Sequence, residues 1–185
     1  MKTQTKSRLY LVNILTGFAV MLFILSFALN QFAYGAGTSS KPSTKSESDA
    51  QIRDRANEYF EEGKNLQEKW RYKEASKKYK RAVEIDPTYA EAYSNLGYTY
   101  RKQEKFDKAV RTYKKAIQLD PKLAAAHEYL GEAYAEMGKF DLAEKELQIL
   151  RELGSEEAQK LEAFITKMKQ QKKQLDMKTA RLISC

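Results

Sequence analysis

From Ile52 to Met177 apolar residues recur every three or four positions with polar residues between them. That is the pattern of helices that each bury one face, and alternation of the strand type is scarce. Two other textures precede it. Leu9 to Leu29 is an almost unbroken apolar run, whereas Gly37 to Ala50 is rich in Ser, Thr and Lys and has no large apolar residue. The run needs an apolar solvent, and the Ser/Thr/Lys stretch cannot bury enough surface to fold. Three regions follow: 1–36, a disordered linker over 37–51, and a helical body beyond.

The body repeats itself. "IDPTYAEAYSNLGYTY" from Ile85 and "LDPKLAAAHEYLGEAY" from Leu119 share Asp-Pro, Leu-Gly and a Tyr three after the Gly, 34 residues apart. That period gives units 56–89, 90–123 and 124–157, each predicting two helices around a short polar break such as "RKQEKF" (101–106) or "AEMGKF" (135–140). Gly63, Gly97 and Gly131 fall inside the first helix of each unit. Gly costs about 1 kcal/mol relative to Ala there, so a close approach by the paired helix is expected. Ala75, Ala109 and Ala143 are small at the matching place on the second helix, and Tyr79, Tyr100, Phe106, Tyr113, Tyr134 and Phe140 should fill the remaining spaces. Pro87 and Pro121 end the second helices. Gly154 predicts a left-handed stop and Ser155 an N-cap, opening an amphipathic helix over 155–177 with Ala158, Leu161, Ile165 and Met168 on one side. A helix of that kind caps the open end of a stack, leaving 178–185 as a tail.

Tyr93, Leu96, Gly97, Tyr100, Ala109, Tyr113, Ala116 and Pro121 in the middle unit together resemble the tetratricopeptide repeat, a 34-residue helix-turn-helix. The first unit departs at Glu62 and Leu66, and the third at His127, Leu147, Leu150 and Glu156, while keeping Leu130, Gly131, Tyr134, Phe140 and Ala143. The resemblance implies an all-α solenoid, a right-handed superhelix of three repeats with a C-terminal capping helix. Some members of the family clamp the terminal carboxylate of chaperone tails with Lys, Arg and two Asn on successive first helices. Asn95 stands at one such position, but the others hold Phe60, Lys64, Ala125 and Tyr129, so the clamp does not carry over.

Charge changes the picture little. The formal net charge is +8, yet the 23 basic and 23 acidic residues between Gly37 and Gln159 cancel, and the excess sits at the two ends. A nucleic-acid-binding body is not implied, and the tail lysines lack interleaved aromatics for stacking. Lys2, Lys6 and Arg8 before the apolar run, and small residues in "AYGAG" after it, read as an export signal over 1–36. An uncleaved N-terminal membrane anchor through residues 9–29 is the open alternative. Both readings put the body outside the cytoplasm, periplasmic or otherwise extracytoplasmic, and the one cysteine, Cys185, cannot form an internal disulfide.

No chemistry of a catalyst is visible. One His and one Cys give no metal-ligand set, there is no Gly-rich phosphate loop, and the carboxylates interleave with Lys as a solvated face. No catalytic residue, metal or cofactor is expected, and His127 reads as a packing residue. Binding remains. If positions 4, 7, 8 and 11 of each first helix pack inward, positions 2, 5, 9 and 12 face the groove. Asn57, Phe60 and Lys64, then Asn95, Tyr98, Arg101 and Lys102, are the candidate partner contacts, with Glu128 and Glu132 making the far end acidic. Phe60, Tyr98 and Arg101 are expected to form an apolar-basic patch. The leading expectation is a non-catalytic adaptor holding a peptide or protein partner in the concave groove. A self-assembling homo-oligomeric unit and an accessory subunit of an exported or membrane-bound enzyme complex are the alternatives.

Overall fold

Ser48 starts the body by closing a capping box: its hydroxyl accepts from the Gln51 N–H at 3.3 Å, and the Gln51 side chain accepts from the Ser48 N–H at 2.9 Å. In the computed structural model, which describes residues 48–183, seven helices follow. They are α1 (Asp49–Glu68), α2 (Tyr72–Ile85), α3 (Ala90–Lys102), α4 (Phe106–Leu119), α5 (Ala124–Glu136), α6 (Phe140–Glu152) and α7 (Glu157–Ile183). The readings of an export segment or anchor, of most of the linker and of Cys185 lie outside the described residues. Two boundaries differ from expectation. Residues 49–51, given to the linker, are helical because the Ser48 cap acts before the apolar periodicity begins. The last helix also runs to Ile183 rather than 177, since "KQQKKQLDMKTARL" contains no Gly or Pro to stop it.

α1/α2, α3/α4 and α5/α6 form hairpins, each first helix packs on the second helix of the unit before, and α7 closes the last unit against α5 and α6. The second helices bury one motif: Ala75, Tyr79 and Ala82 in α2, Ala109, Tyr113 and Ala116 in α4, Ala143, Leu147 and Leu150 in α6. These recur at i, i+4 and i+7, a single helical stripe. Two core clusters result, one around Tyr79 and Leu96 and one around Tyr113, Leu130 and Leu161, with Tyr100 packing against both.

The mid-helix glycines meet something other than the expected alanines. A Cβ on Gly63 would stand 2.7 Å from the Tyr79 ring, and one on Gly97 2.6 Å from the Tyr113 ring. On Gly131 it would meet not α6 but Leu161 of α7, at 2.5 Å. Leu147 takes the place that tyrosine holds in the other two units, and the cap supplies the missing bulk.

All three first helices end alike, and so does α6. The N–H of Trp70, Glu104, Gly138 and Gly154 reaches back to Gln67, Arg101, Ala135 and Arg151 at 2.8–3.0 Å. The next N–H bonds Leu66, Tyr100, Tyr134 and Leu150 at 2.8–3.0 Å. This double closure puts the turning residue in the left-handed region, with φ of 60°, 59°, 72° and 66°. Gly fits the last two, whereas Trp70 and Glu104 hold the conformation against their Cβ.

Candidate partner-binding face

The first helices carry the residues singled out from sequence, and the structure sorts them into three groups. Asn57, Lys64 and Lys102 are exposed. Asn57 accepts from the Tyr89 hydroxyl, and Lys64 donates to Glu61 at 3.0 Å. Phe60, Asn95, Tyr98 and Glu132 are half-buried; Arg101 and Glu128 are buried. Phe60 sits between Tyr79 at 5.6 Å and Tyr89 at 5.0 Å, so it packs α1 onto α2 and the start of α3. Arg53 stacks over the far side of this cluster, 4.1 Å from the Tyr89 ring centre, and pairs with the buried Asp86.

The expected patch of Phe60, Tyr98 and Arg101 is not what forms. Arg101 is 3% exposed and is held by Glu132 and, at 2.7 Å, by Glu136, both one unit along on α5. Burial works against its charge, but the Tyr113 hydroxyl, Glu132 and Glu136 outweigh burial and hold its pKa above the usual value. The guanidinium therefore ties α3 to α5 and is not a cation free for a partner. The same contacts change the acidic end of the face. Glu132 and Glu136 share the single positive charge of Arg101, which offsets part of theirs. Burial, with Glu132 beside it, pushes the Glu128 carboxyl up to about 7, so it is only partly charged at neutral pH. Sequence spacing placed these residues on one helix side but could not show that residues 31 and 35 apart would meet.

What the face does present is aromatic. Tyr98 lies 5.2 Å from Tyr129 on α5 and 6.1 Å from Tyr72 at the start of α2, and Tyr72 lies 6.2 Å from Trp70. The Arg101 and Lys102 cationic groups stand 5.4 and 5.3 Å from the centre of the Tyr98 ring. Burial pushes the Tyr98 hydroxyl up to about 12, so it is a neutral donor at any physiological pH. Trp70, 77% exposed at a strained φ, ends this run of rings. Trp70 and Tyr72 were missed because the groove positions were counted only on first helices. The available signal was that the one Trp of the chain occupies the position that Gly138 fills in the third unit.

His127 is a packing residue. Its Nδ1 is 2.7 Å from Glu146 and its Nε2 3.1 Å from the Pro121 carbonyl, two acceptors that raise its pKa, chiefly through Glu146. Among the described residues no group of three or more His, Cys, Asp or Glu is placed to hold a metal, and no helix is long and apolar enough to cross a membrane.

Helix-turn-helix units stacked over two core clusters joined at Tyr100, with a closely approached mid-helix Gly and a left-handed turn renewed every 34 residues, define an α-solenoid scaffold. The family model of the TPR repeat matches residues 56–103 and 97–138. Among solved structures, the TPR2B domain of yeast Sti1, described in its pHsp70 complex, is 25% identical and superposes with a TM-score of 0.60 over 64% of this chain and 98% of that one. The Yersinia enterocolitica type III secretion translocator chaperone SycD is 18% identical, with a TM-score of 0.58 over 64% of this chain and 95% of its own. MamA is 29% identical, with a TM-score of 0.51 over 54% of this chain and 58% of its own. No curated protein matches the chain. Residues 56–138 thus carry tetratricopeptide repeats, on a fold shared with tetratricopeptide-repeat domains of known structure.

Proposed function

We propose that this protein is a non-catalytic adaptor that holds a segment of a partner protein against the face built by α3, α5 and the α1–α2 turn with the start of α2. The run of rings from Trp70 through Tyr72 and Tyr98 to Tyr129 carries the reading. Large, amphipathic side chains with little rotamer entropy supply most of the energy at protein interfaces. Lys102, 5.3 Å from the Tyr98 ring centre, favours a partner segment with acidic residues beside apolar ones. The yeast Sti1 domain of like fold is described in complex with pHsp70, which supports a peptide-holding use of this scaffold. Arg101, Glu132 and Glu136 set the spacing of α3 and α5 under the rings and serve the site indirectly.

A photo-reactive phenylalanine at position 98 tests this, beside a control at the exposed Lys114 on α4. An adduct formed from position 98 alone, and lost on Trp70→Ala/Lys102→Glu at unchanged helicity, is the expected result. Equal adducts from both positions would sink the proposal, as would none from position 98. The reading also places the body outside the cytoplasm, supported by the basic flank and apolar run of residues 2–29. Fractionation of the full chain tests that separately.

A further inference from the structure

α7 is twice the length it needs to be as a cap. At 27 residues it spans roughly 40 Å against about 20 Å for the 13-residue α5 and α6. Its first half docks through Ala158, Leu161 and Ile165, all buried, with Phe164 and Met168 beside them. Every residue from Lys169 to Ile183 is exposed. Yet the docking stripe does not stop where the body does. Leu161 and Met168 continue at the same seven-residue step as Leu175 and Leu182, which are 64% and 81% exposed. A cleft leads onto this stripe from the α5–α6 turn, with Met137, Phe140, Met168 and Leu175 as its apolar walls and Lys172 at its edge. Lys169 and Lys172 both stand 5.7 Å from the Phe140 ring centre.

A step of seven is the seam of a helix that packs on another helix. The row is narrow, because Gln171 and Lys178 fill the intervening seam positions, and it lacks the broad aromatic-apolar face that seats a helix on lipid. Charge decides the occupant. The positions flanking the seam hold Lys167, Lys172 and Arg181 with Gln174 and Thr179 and no acid. A second copy of the helix would place like charges opposite one another, whereas a partner with Glu or Asp opposite Lys167 and Lys172 would meet opposite charge.

We infer that the outer half of α7, with the Phe140 cleft at its base, is a docking surface for an acidic amphipathic helix of another protein. That helix would lie where a further repeat would otherwise stack. This surface is separate from the ring-lined face and does not depend on it.

The test is fluorescence anisotropy of the full chain with two labelled model helices, both with Leu at the seam, one carrying Glu and one Lys at the flanking positions. The Glu helix should bind at least about tenfold more tightly, a difference of roughly 1.4 kcal/mol. Leu175→Ala/Leu182→Ala should cost at least about tenfold, and Lys167→Glu/Lys172→Glu should invert the preference. Circular dichroism confirms that each variant stays helical. Equal binding of the two helices, or unchanged binding in the Leu variant, overturns the inference. So does absence of peptide binding, whether the Leu-dependent behaviour is then dimerisation in sedimentation or flotation with anionic phospholipid vesicles.

Discussion

The first two repeats and the third fill the same space in different ways. In the first two, the mid-helix Gly faces the ring of a Tyr from its own unit, Tyr79 or Tyr113. In the third, Gly131 faces Leu161 from α7, and the unit's own residue there is Leu147. A unit that closes on its own ring carries its core with it, whereas one that borrows from a cap depends on that cap. The C-terminal repeat is thus completed by the helix that follows it, whose residues from Lys169 on are exposed.

Removing the borrowed residue should do the most damage. Leu161→Ala, at a fully buried position, is expected to cost about 3–5 kcal/mol and to loosen α5 and α6 before α1 and α2. Urea unfolding with hydrogen exchange measures both, and uniform loss of protection would remove the distinction drawn here.

Cutting the tie between repeats comes next. Arg101→Met leaves Glu132 in a half-buried site without its cation, at an expected cost of about 2–4 kcal/mol. Arg101→Met/Glu132→Met should recover most of that loss. If the double variant is as unstable as the single one, the guanidinium acts through packing instead.

The glycines offer a finer test. Gly97→Ala drives a methyl into a rigid ring and should cost about 1–3 kcal/mol, whereas Gly131→Ala meets the movable end of Leu161 and should cost less. Gly131→Ala and Leu161→Ala should be less than additive, because each relieves the other. Additive losses would show that the two do not share the space.

Smaller still is the pH dependence, which also belongs to the third repeat. Glu128 has its pKa raised from 4.5 to about 7 by burial and the neighbouring Glu132. His127 is raised above 6.5, chiefly by Glu146. A raised folded-state pKa gives stability that is complete below the unfolded value and lost as pH climbs through the folded one. Unfolding free energy should therefore fall between pH 4.5 and about 7 through Glu128, and above 6.5 through His127. Glu128→Gln should flatten the first part, by on the order of 1–2 kcal/mol across the window, in urea midpoints taken at several pH values. An unchanged slope would place the Glu128 carboxyl in water.

The least effect is expected at the turn of the first repeat. Trp70→Gly should relieve left-handed strain and change stability by no more than about 1 kcal/mol, while weakening partner capture at the ring face. A large loss of stability would make Trp70 a structural residue.

The fold was legible because each of its causes is local or periodic. A period of 34, a stripe at i, i+4 and i+7 and a Gly where a ring must approach are all written along one strand of text. Sequence also determined that His127 packs, and the structure holds it between Glu146 and the Pro121 carbonyl. What it could not determine is which charges meet. Arg101 looked like a groove cation, but its partners lie on the next unit, where only the stacking of α3 on α5 brings Glu132 and Glu136 within reach. The run of rings was hidden for the same reason: Tyr72 and Trp70 join Tyr98 only because α2 runs back beside α3. Periodicity fixes which side of a helix is wet, whereas tertiary packing decides which wet side chains neutralise one another and which are left for a partner.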